Sequence, residues 1–209
     1  MNKFIEEKRP RIYFTGVGGQ GTLTATKILA QAAMDAGIDV IAGEVHGMAQ
    51  RGGVVESALL LGGWKAPRLD AGEADIILGF EPLETLRALP YLNEGGVIFS
   101  SVDPMPPLSV NLGQAAYPDL SFIESETRKV AAECYLIPCD ELGIKAGTKL
   151  SGNTALLGAV CASGLLPFTP DTLEKAINRY LPEKIRKVNI DAMNLGVAWM
   201  QKHKSGEAE

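Results

Sequence analysis

The sequence predicts an α/β fold of Rossmann-like type, with a mixed, mostly parallel sheet flanked by helices and a helical carboxyl-terminal region. The apolar run Ile12–Phe14 is followed by a glycine-rich loop, an amphipathic segment and a second apolar run, Ile38–Ala42. That order, strand, loop, helix and strand, opens a parallel sheet. The run Ala74–Phe80 is almost wholly apolar, as expected of a strand buried on both faces. From Asn153 onward apolar residues recur at helical spacing.

The helix after the glycine loop is predicted from apolar residues at a spacing of three and four, with Gly37 ending it. Its buried face is expected to be Ala25, Ile28, Leu29, Ala32, Ala33 and Ala36. Further strands are predicted at Val54–Leu61, Ala74–Phe80, Gly95–Ser101 and Tyr135–Pro138. Further helices are predicted at Glu81–Leu92, Ser121–Glu133, Asn153–Ser163 with Asn153 as its cap, from Thr169 onward, and from about Glu183. The proline-rich stretch Asp103–Asp119 is predicted to be a long surface excursion or an edge hairpin.

Length and composition indicate one ordinary globular domain. The chain has 209 residues, of which 46% are hydrophobic and 22% charged. We expect residues 1–201 to form a single α/β domain and 202–209 a flexible tail. A net charge of −5 and an aromatic content of 6% argue against binding to nucleic acid or to an anionic membrane.

The sequence also predicts a cytoplasmic location. The amino terminus has charges on both sides of Phe4–Ile5 and no apolar core, which is not the pattern of a secretory signal. The uncharged stretch Leu150–Pro170 is nearly long enough to span a membrane, but its glycines and prolines favour a buried helix followed by a turn. Three irregularly spaced cysteines fit neither a disulfide framework nor a metal or iron–sulfur site.

The glycine loop fits the pattern G-x-G-x-x-G through Gly16, Gly18 and Gly21. Glycines allow a sharp turn and bring backbone N–H groups and the start of the next helix close to a phosphate. Thr22 or Thr24 could add a hydroxyl contact. A tight strand-to-helix turn that binds nothing is the alternative, because the pattern is weak by itself.

The segment EVHGMAQRGG, residues 44–53, is the second unusual loop. Glu44 lies close to where a dinucleotide fold has its ribose-binding carboxylate, which would indicate an NAD-dependent enzyme. Arg51 suits bidentate recognition of carboxylate or phosphate, and His46 could donate to an anion or transfer a proton. The alternative is structural: Arg51 pairs with Glu44, and His46 caps a turn. We expect both loops at the carboxyl ends of neighbouring strands, where open α/β sheets bind ligands.

Together, GVGGQG at 16–21 and EVHGMAQRGG at 44–53 resemble the small subunit or domain of the 2-oxoacid:ferredoxin oxidoreductases, the gamma type. The form HGMAQRGG is most similar to the beta subunit of the indolepyruvate enzymes. The resemblance continues more loosely through ADIILGFEPLE at 74–84, GGVIFSS at 95–101 and SGNTALLGA at 151–159. The combination and spacing of the first two motifs make it specific.

The resemblance implies a subunit that is inactive alone. Its complex converts a 2-oxoacid and coenzyme A to acyl-CoA and carbon dioxide, and passes electrons to ferredoxin. That reaction requires thiamine diphosphate, magnesium and iron–sulfur clusters. This sequence has no recognisable diphosphate–metal motif and no cluster spacing of cysteines. We therefore expect those cofactors on a larger partner subunit, and no cofactor or metal bound by this chain alone.

For the site, the hypothesis is that the two loops form a wall of the active-site entrance and seat the phosphates of coenzyme A. Backbone donors would come from Gly16, Gly18, Gly19, Gln20 and Gly21, with contacts from Thr22 and Glu44. His46 and Arg51 are the candidate catalytic residues. Two other functions stay open: a stand-alone NAD(P)-dependent oxidoreductase, and a non-catalytic nucleotide-binding assembly module.

Overall fold

The structure is a computed structural model that describes residues 7–46, 53–106, 110 and 112–205, with the side chains of 44–46 excluded. Its six strands are β1 (Arg11–Val17), β2 (Val40–His46), β3 (Val54–Leu61), β4 (Ala74–Gly79), β5 (Leu92–Ser101) and β6 (Glu133–Ile137). Its helices are α1 (Thr22–Asp35), α2 (Pro82–Ala88), α3 (Leu120–Val130), α4 (Cys139–Ala146), α5 (Gly152–Ala162), α6 (Pro170–Tyr180) and α7 (Glu183–Lys204). Short 3₁₀ turns at Leu89–Tyr91 and Lys149–Ser151 precede β5 and α5.

The strands form one mixed sheet in the order β2-β3-β1-β4-β5-β6. β1, β4, β5 and β6 pair in parallel, whereas β3 is antiparallel to both of its neighbours, β1 and β2. All seven residues of β1 are buried, as expected of a strand that lies near the middle of a sheet covered on both faces. The α/β class and the mostly parallel sheet that the sequence predicts are confirmed.

One prediction about the sheet is wrong: β1 and β2 are not neighbours. β3 lies between them, with Val17 of β1 opposite Val54 and His46 of β2 opposite Val55. The connection from His46 to Val54 is too short for a parallel crossover, which needs a dozen or more residues. The chain therefore returns as an antiparallel hairpin and inserts β3 beside β1.

The apolar residues form two clusters, one on each face of the sheet. Ile12 and Phe14 belong to the larger cluster, with α1, α5, α6 and α7. Tyr13 and Ile77 belong to the smaller one, with the connection around Leu69 and the end of α2. The predicted buried face of α1 is confirmed except at Ala36, which is exposed because it lies at the carboxyl cap.

Several predicted boundaries differ from the structure. Asn153 does not cap α5; Ser151 is the N-cap residue, and Asn153 lies inside the first turn. The helix predicted to reach Glu133 ends at Val130, and Glu133 begins β6. α7 continues through Lys204, so 202–204 are helical rather than part of a tail. Leu150–Pro170 is divided into the end of a 3₁₀ turn, α5, a loop and the first residue of α6. None of the described helices could cross a membrane.

Candidate functional site

The glycine loop, residues 16–21, connects β1 to α1 at the carboxyl end of the parallel strands. Gly19 and Gly21 have φ values of 100° and 90°, where a residue with a Cβ would be strained. A Cβ on Gly16 would lie 2.7 Å from Thr22 Oγ1 and 3.1 Å from Phe80 Cβ. These glycines are therefore required by the shape of the loop, whether or not a ligand is bound.

The Gln20 side chain fixes the loop between two strands. Its Oε1 accepts from the Val17 N–H at 2.7 Å, and its Nε2 donates to the Phe80 carbonyl at 3.2 Å. The Gln20 carbonyl, in turn, accepts from Nδ2 of Asn153 on α5. The loop is thus attached to the ends of β1 and β4 and to the first turn of α5. The polar groups of the Gln20 side chain are used inside the protein.

A backbone hydrogen bond joins the glycine loop to the residue before β3. The Gly18 N–H donates to the Gly53 carbonyl at 2.7 Å, and the Gln20 N–H donates to the Val17 carbonyl at 3.1 Å. Two of the predicted backbone donors are therefore already engaged. The predicted contacts of the Gly19 and Gly21 N–H groups with a ligand stay predictions. The N–H groups in the first turn of α1 have no acceptor within the helix, and their binding to a ligand also stays a prediction.

Thr22 is buried, with 2% of its surface exposed. Its hydroxyl lies against Gly16, inside the loop. Within the described part of the chain, Thr22 Oγ1 has no hydrogen-bond partner. The structure therefore places this hydroxyl away from the surface, and the predicted ligand contact of Thr22 would require its side chain to rotate. That contact stays a prediction.

The other predicted site residues are only partly described. Glu44 and His46 lie in β2, where their backbones pair with Ser57 and Val55 of β3, and their side chains are outside the description. Arg51 lies wholly outside the described residues. What the structure does show is that the connection from β2 to β3, in which Arg51 lies, ends beside the glycine loop, because the Gly18 N–H donates to the Gly53 carbonyl.

Beside the loop, the ends of the other parallel strands form a small polar depression. The predicted site residue Gln20 lines it, but the sequence did not single out Asp103 or Lys149. Its lining includes Gln20, Asp103, Asp140, Lys149 and Asn153. Asp103 follows β5, accepts from Ser101 Oγ at 2.9 Å and accepts from the Asp140 N–H at 2.8 Å. The volume is about 30 Å³, roughly that of one water molecule. A larger ligand would therefore have to extend beyond the depression.

The signal for this depression was present in the sequence. Asp103 and Asp140 each follow a predicted strand by two residues, and polar residues at strand ends meet at one edge of a parallel sheet. Lys149 forms an ion pair with Asp140. The hydrogen bond to Asp140 raises the pKa of Lys149 above its ordinary value, so the ammonium stays charged at neutral pH.

A larger cleft of about 770 Å³ lies elsewhere, against the face of the sheet opposite α1. Tyr13, Glu56, Leu69 and Tyr91 are among its lining residues, and none of the glycine-loop residues is among them. Cleft size therefore does not identify the candidate site. The site is defined by the strand ends and the two loops.

The described side chains do not fit a metal or an iron–sulfur cluster. No group of three or more His, Cys, Asp or Glu side chains lies together within the described ranges. Cys139 and Cys161 are buried, and burial raises the pKa of both thiols far above the ordinary value. What the edge offers is polar backbone, a helix start, and the Lys149 ammonium beside the carboxylates of Asp103 and Asp140. Among these groups, the backbone N–H donors and the helix start suit binding of an anionic ligand.

The topology argues against a stand-alone dinucleotide enzyme. In that fold the ribose-binding carboxylate follows the strand next to the glycine-loop strand. Here β3 intervenes, so Glu44 lies on a strand about 9.5 Å from β1 rather than about 4.8 Å. The Gly18 N–H is also used by Gly53. The fold and site therefore define a different class: an α/β domain whose glycine loop is joined to a β-hairpin.

Comparison with known proteins identifies the family. The sequence model of the family described as pyruvate ferredoxin/flavodoxin oxidoreductase matches residues 11–199. The chain is 38% identical to the indolepyruvate oxidoreductase subunit IorB of Archaeoglobus fulgidus, covering 90% of this chain and 94% of that protein. It is 39% identical to the subunit of the same name in Pyrococcus horikoshii, with 91% and 95% covered. The chain belongs to the pyruvate ferredoxin/flavodoxin oxidoreductase family.

A solved structure shares the fold. The 2-oxoglutarate:ferredoxin oxidoreductase of Magnetococcus marinus, solved with 2-oxoglutarate, coenzyme A and succinyl-CoA, is 19% identical with a TM-score of 0.70. The match covers 93% of this chain but 31% of that one. In that protein the fold is therefore one part of a longer polypeptide. The resemblance that the sequence motifs indicated is confirmed at the level of the family and its subunit type.

Proposed function

We propose that this chain is the subunit without redox cofactors of an indolepyruvate-type 2-oxoacid:ferredoxin oxidoreductase. The complex converts a 2-oxoacid and coenzyme A to acyl-CoA and carbon dioxide and passes electrons to ferredoxin. A larger partner subunit carries thiamine diphosphate, magnesium and the iron–sulfur clusters. This chain supplies one wall of the active-site entrance, contacts coenzyme A and is inactive alone.

One observation carries the assignment of the site. The Gly18 N–H···O=C Gly53 hydrogen bond, at 2.7 Å, joins the glycine loop to the end of the hairpin that contains Arg51. The two motifs that distinguish this family by sequence are therefore adjacent in space. One wall built from both is consistent with a ligand that carries several phosphates, as coenzyme A does.

The small size of the depression supports a shared site. A volume of about 30 Å³ holds none of the reactants, since ligand pockets usually enclose several hundred Å³. A reactant would therefore have to extend beyond the depression that Asp103, Lys149 and Asn153 line, and we propose that a second chain completes the enclosure. This agrees with a partner that carries the reacting cofactors.

The test is Arg51→Ala in the complex assembled with its partner. Loss of a charge-assisted contact to phosphate should raise the KM for coenzyme A by roughly ten- to a hundredfold. If Arg51 seats coenzyme A, the KM for the oxoacid and the kcat should change little, whereas a large fall in kcat would make Arg51 a catalytic residue instead. Arg51→Lys should be intermediate, since it keeps the charge but loses the bidentate geometry.

Arg68→Ala is the matched control. Arg68 is exposed, pairs with Asp70 at 3.0 Å and lies in the connection after β3, away from the glycine loop. It should leave every kinetic constant unchanged. If Arg51→Ala also leaves the coenzyme A dependence unchanged, this chain does not seat the coenzyme as proposed. If no thiamine-containing partner co-purifies with the tagged chain, the assignment to a complex is wrong.

A further inference from the structure

We infer that Asn153 is a positioning residue, which holds the Gln20–Gly21 peptide of the glycine loop in the orientation needed to present the Gly21 N–H to an anion. Asn153 lies on α5, 133 residues from Gln20, and its Nδ2 donates to the Gln20 carbonyl. The inference rests on the proposed function for its ligand, coenzyme A. It concerns a residue outside both sequence motifs.

The first step of the argument is the geometry of the peptide. In a trans peptide the C=O and the following N–H point in opposite directions. Because the Gln20 carbonyl points at Asn153, the Gly21 N–H points away from α5. Fixing one end of this peptide therefore fixes the direction of the donor at the other end.

The second step is the freedom that the loop would otherwise have. Turning over the Gln20–Gly21 peptide changes ψ of Gln20 and φ of Gly21. Gly21 has a φ of 90°, and a glycine can change φ at small cost. Gly21 therefore leaves this peptide free to turn over. If it turned over, a carbonyl oxygen would replace the N–H on the open side and would repel a phosphate.

The third step is that the other restraints do not hold this peptide directly. The Gln20 side chain binds Val17 N–H and Phe80 O, and the Gln20 N–H binds the Val17 carbonyl. These contacts fix the side chain and the preceding peptide. The described contact that holds the Gln20 carbonyl comes from Asn153. The amide is also close to Gly21, since a Cβ built there would lie 3.3 Å from Asn153 Nδ2.

The test compares Asn153→Ala and Asn153→Asp with Thr154→Val. Thr154 is the next residue of α5 and donates to Asn189 Oδ1 at 2.6 Å, away from the loop. Thr154→Val also removes one side-chain hydrogen bond from α5, so it controls for a general loss of stability, which thermal unfolding measures. Asn153→Asp removes the donor and adds a negative charge beside the proposed anion site.

Two measurements are made. In the isolated full chain, the ¹⁵N–¹H signal of Gly21 should shift in Asn153→Ala and stay in place in Thr154→Val. In the assembled complex, Asn153→Ala should raise the KM for coenzyme A about tenfold, the factor of one lost hydrogen bond to a charged group. Asn153→Asp should raise it further, while kcat and the KM for the oxoacid stay close to wild type in both.

A Gly21 signal that does not move in Asn153→Ala overturns the inference, whatever the complex does. An equal rise in the KM for coenzyme A in Thr154→Val also overturns it, because the effect would then be structural. A different result would contradict the proposed function: a wild-type complex whose rate does not depend on coenzyme A. In that case the Gly21 signal would still decide whether Asn153 holds the peptide.

Discussion

The crossing of α5 and α7 has room for no side chain at its centre, and Gly196→Ala tests this directly. A Cβ on Gly196 would lie 1.9 Å from the Ala155 carbonyl oxygen, and a Cβ on Gly158 would lie 2.1 Å from the Met193 carbonyl oxygen. Both obstacles are backbone atoms, which cannot move by changing a rotamer. The two helices would have to separate by more than about 1 Å to restore an ordinary contact.

The expected cost follows from two opposing effects. Replacing glycine by alanine inside a helix stabilises it by about 0.5–1 kcal/mol. Forcing a methyl group into a filled contact costs about 1–3 kcal/mol, and here Ala155 and Met193, whose carbonyls meet the two glycines, are fully or almost fully buried. Because both glycines face backbone carbonyl oxygens, we expect a cost in the upper part of that range. The net loss is then about 2 kcal/mol, which lowers the Tm by roughly 4–8 °C for a chain of this length.

Thermal unfolding followed by circular dichroism measures this, with Asn194→Ala as the control. Asn194 lies on the same helix and is exposed, so it gains the helix propensity of alanine without the clash, and its Tm should stay the same or rise slightly. If Gly196→Ala is as stable as wild type, the helices are not in contact at this point. The position that the structure gives to α5, and hence to Asn153, would then be in error.

Two further predictions concern the surface and the thiols. Leu150, 77% exposed beside the depression, should contact the partner subunit, so Leu150→Asp should weaken binding to the partner about tenfold or more in a titration. Met34 is also exposed and lies at the far end of α1, so Met34→Asp should not weaken that binding. If both variants weaken binding to the partner equally, the prediction is wrong. Burial raises the pKa of Cys134 to about 11, so between pH 9 and pH 11 the folded chain retains a proton that the unfolded chain loses. Stability should therefore fall as pH rises through that window. Between pH 8 and pH 10.5, the Tm of Cys134→Ser should fall less than the Tm of the wild-type chain. If both fall equally, the Cys134 thiol makes no contribution to the pH dependence.

Much of the fold could be predicted because local patterns decide it. The strand Val54–Leu61 and the helix after the glycine loop follow from apolar periodicity, and the structure places them where the sequence does. What the sequence pattern did not reveal was the place of β3 between β1 and β2. The information was nevertheless there, because a connection as short as that from His46 to Val54 permits only an antiparallel return.

The site was harder to predict because its contacts are not local. Gln20 was expected to offer its backbone N–H to a ligand. In the structure that N–H donates to the Val17 carbonyl, and the Gln20 side chain bonds to the Val17 N–H and the Phe80 carbonyl, at the ends of β1 and β4. Asn153 was expected to cap its own helix, yet it binds the loop 133 residues earlier. A short polar side chain at a helix start has the same sequence signature in either case. Only the packing of α5 against the glycine loop distinguishes the two roles.

That packing also explains why the carboxyl-terminal helices matter to a site formed at the strand ends. α7 fixes α5 through the paired contacts of Gly158 and Gly196, and α5 carries Asn153 to the Gln20 carbonyl. The geometry of a loop near the start of the chain therefore depends on helices near its end. Gly196→Ala should for this reason do more than lower the Tm: at temperatures where the variant is folded, it should move the Gly21 amide signal in the same direction as Asn153→Ala. If Gly196→Ala is folded and its Gly21 signal is that of wild type, the geometry of the glycine loop does not depend on the crossing of α5 and α7. The position of Asn153 would then not depend on α7 as proposed.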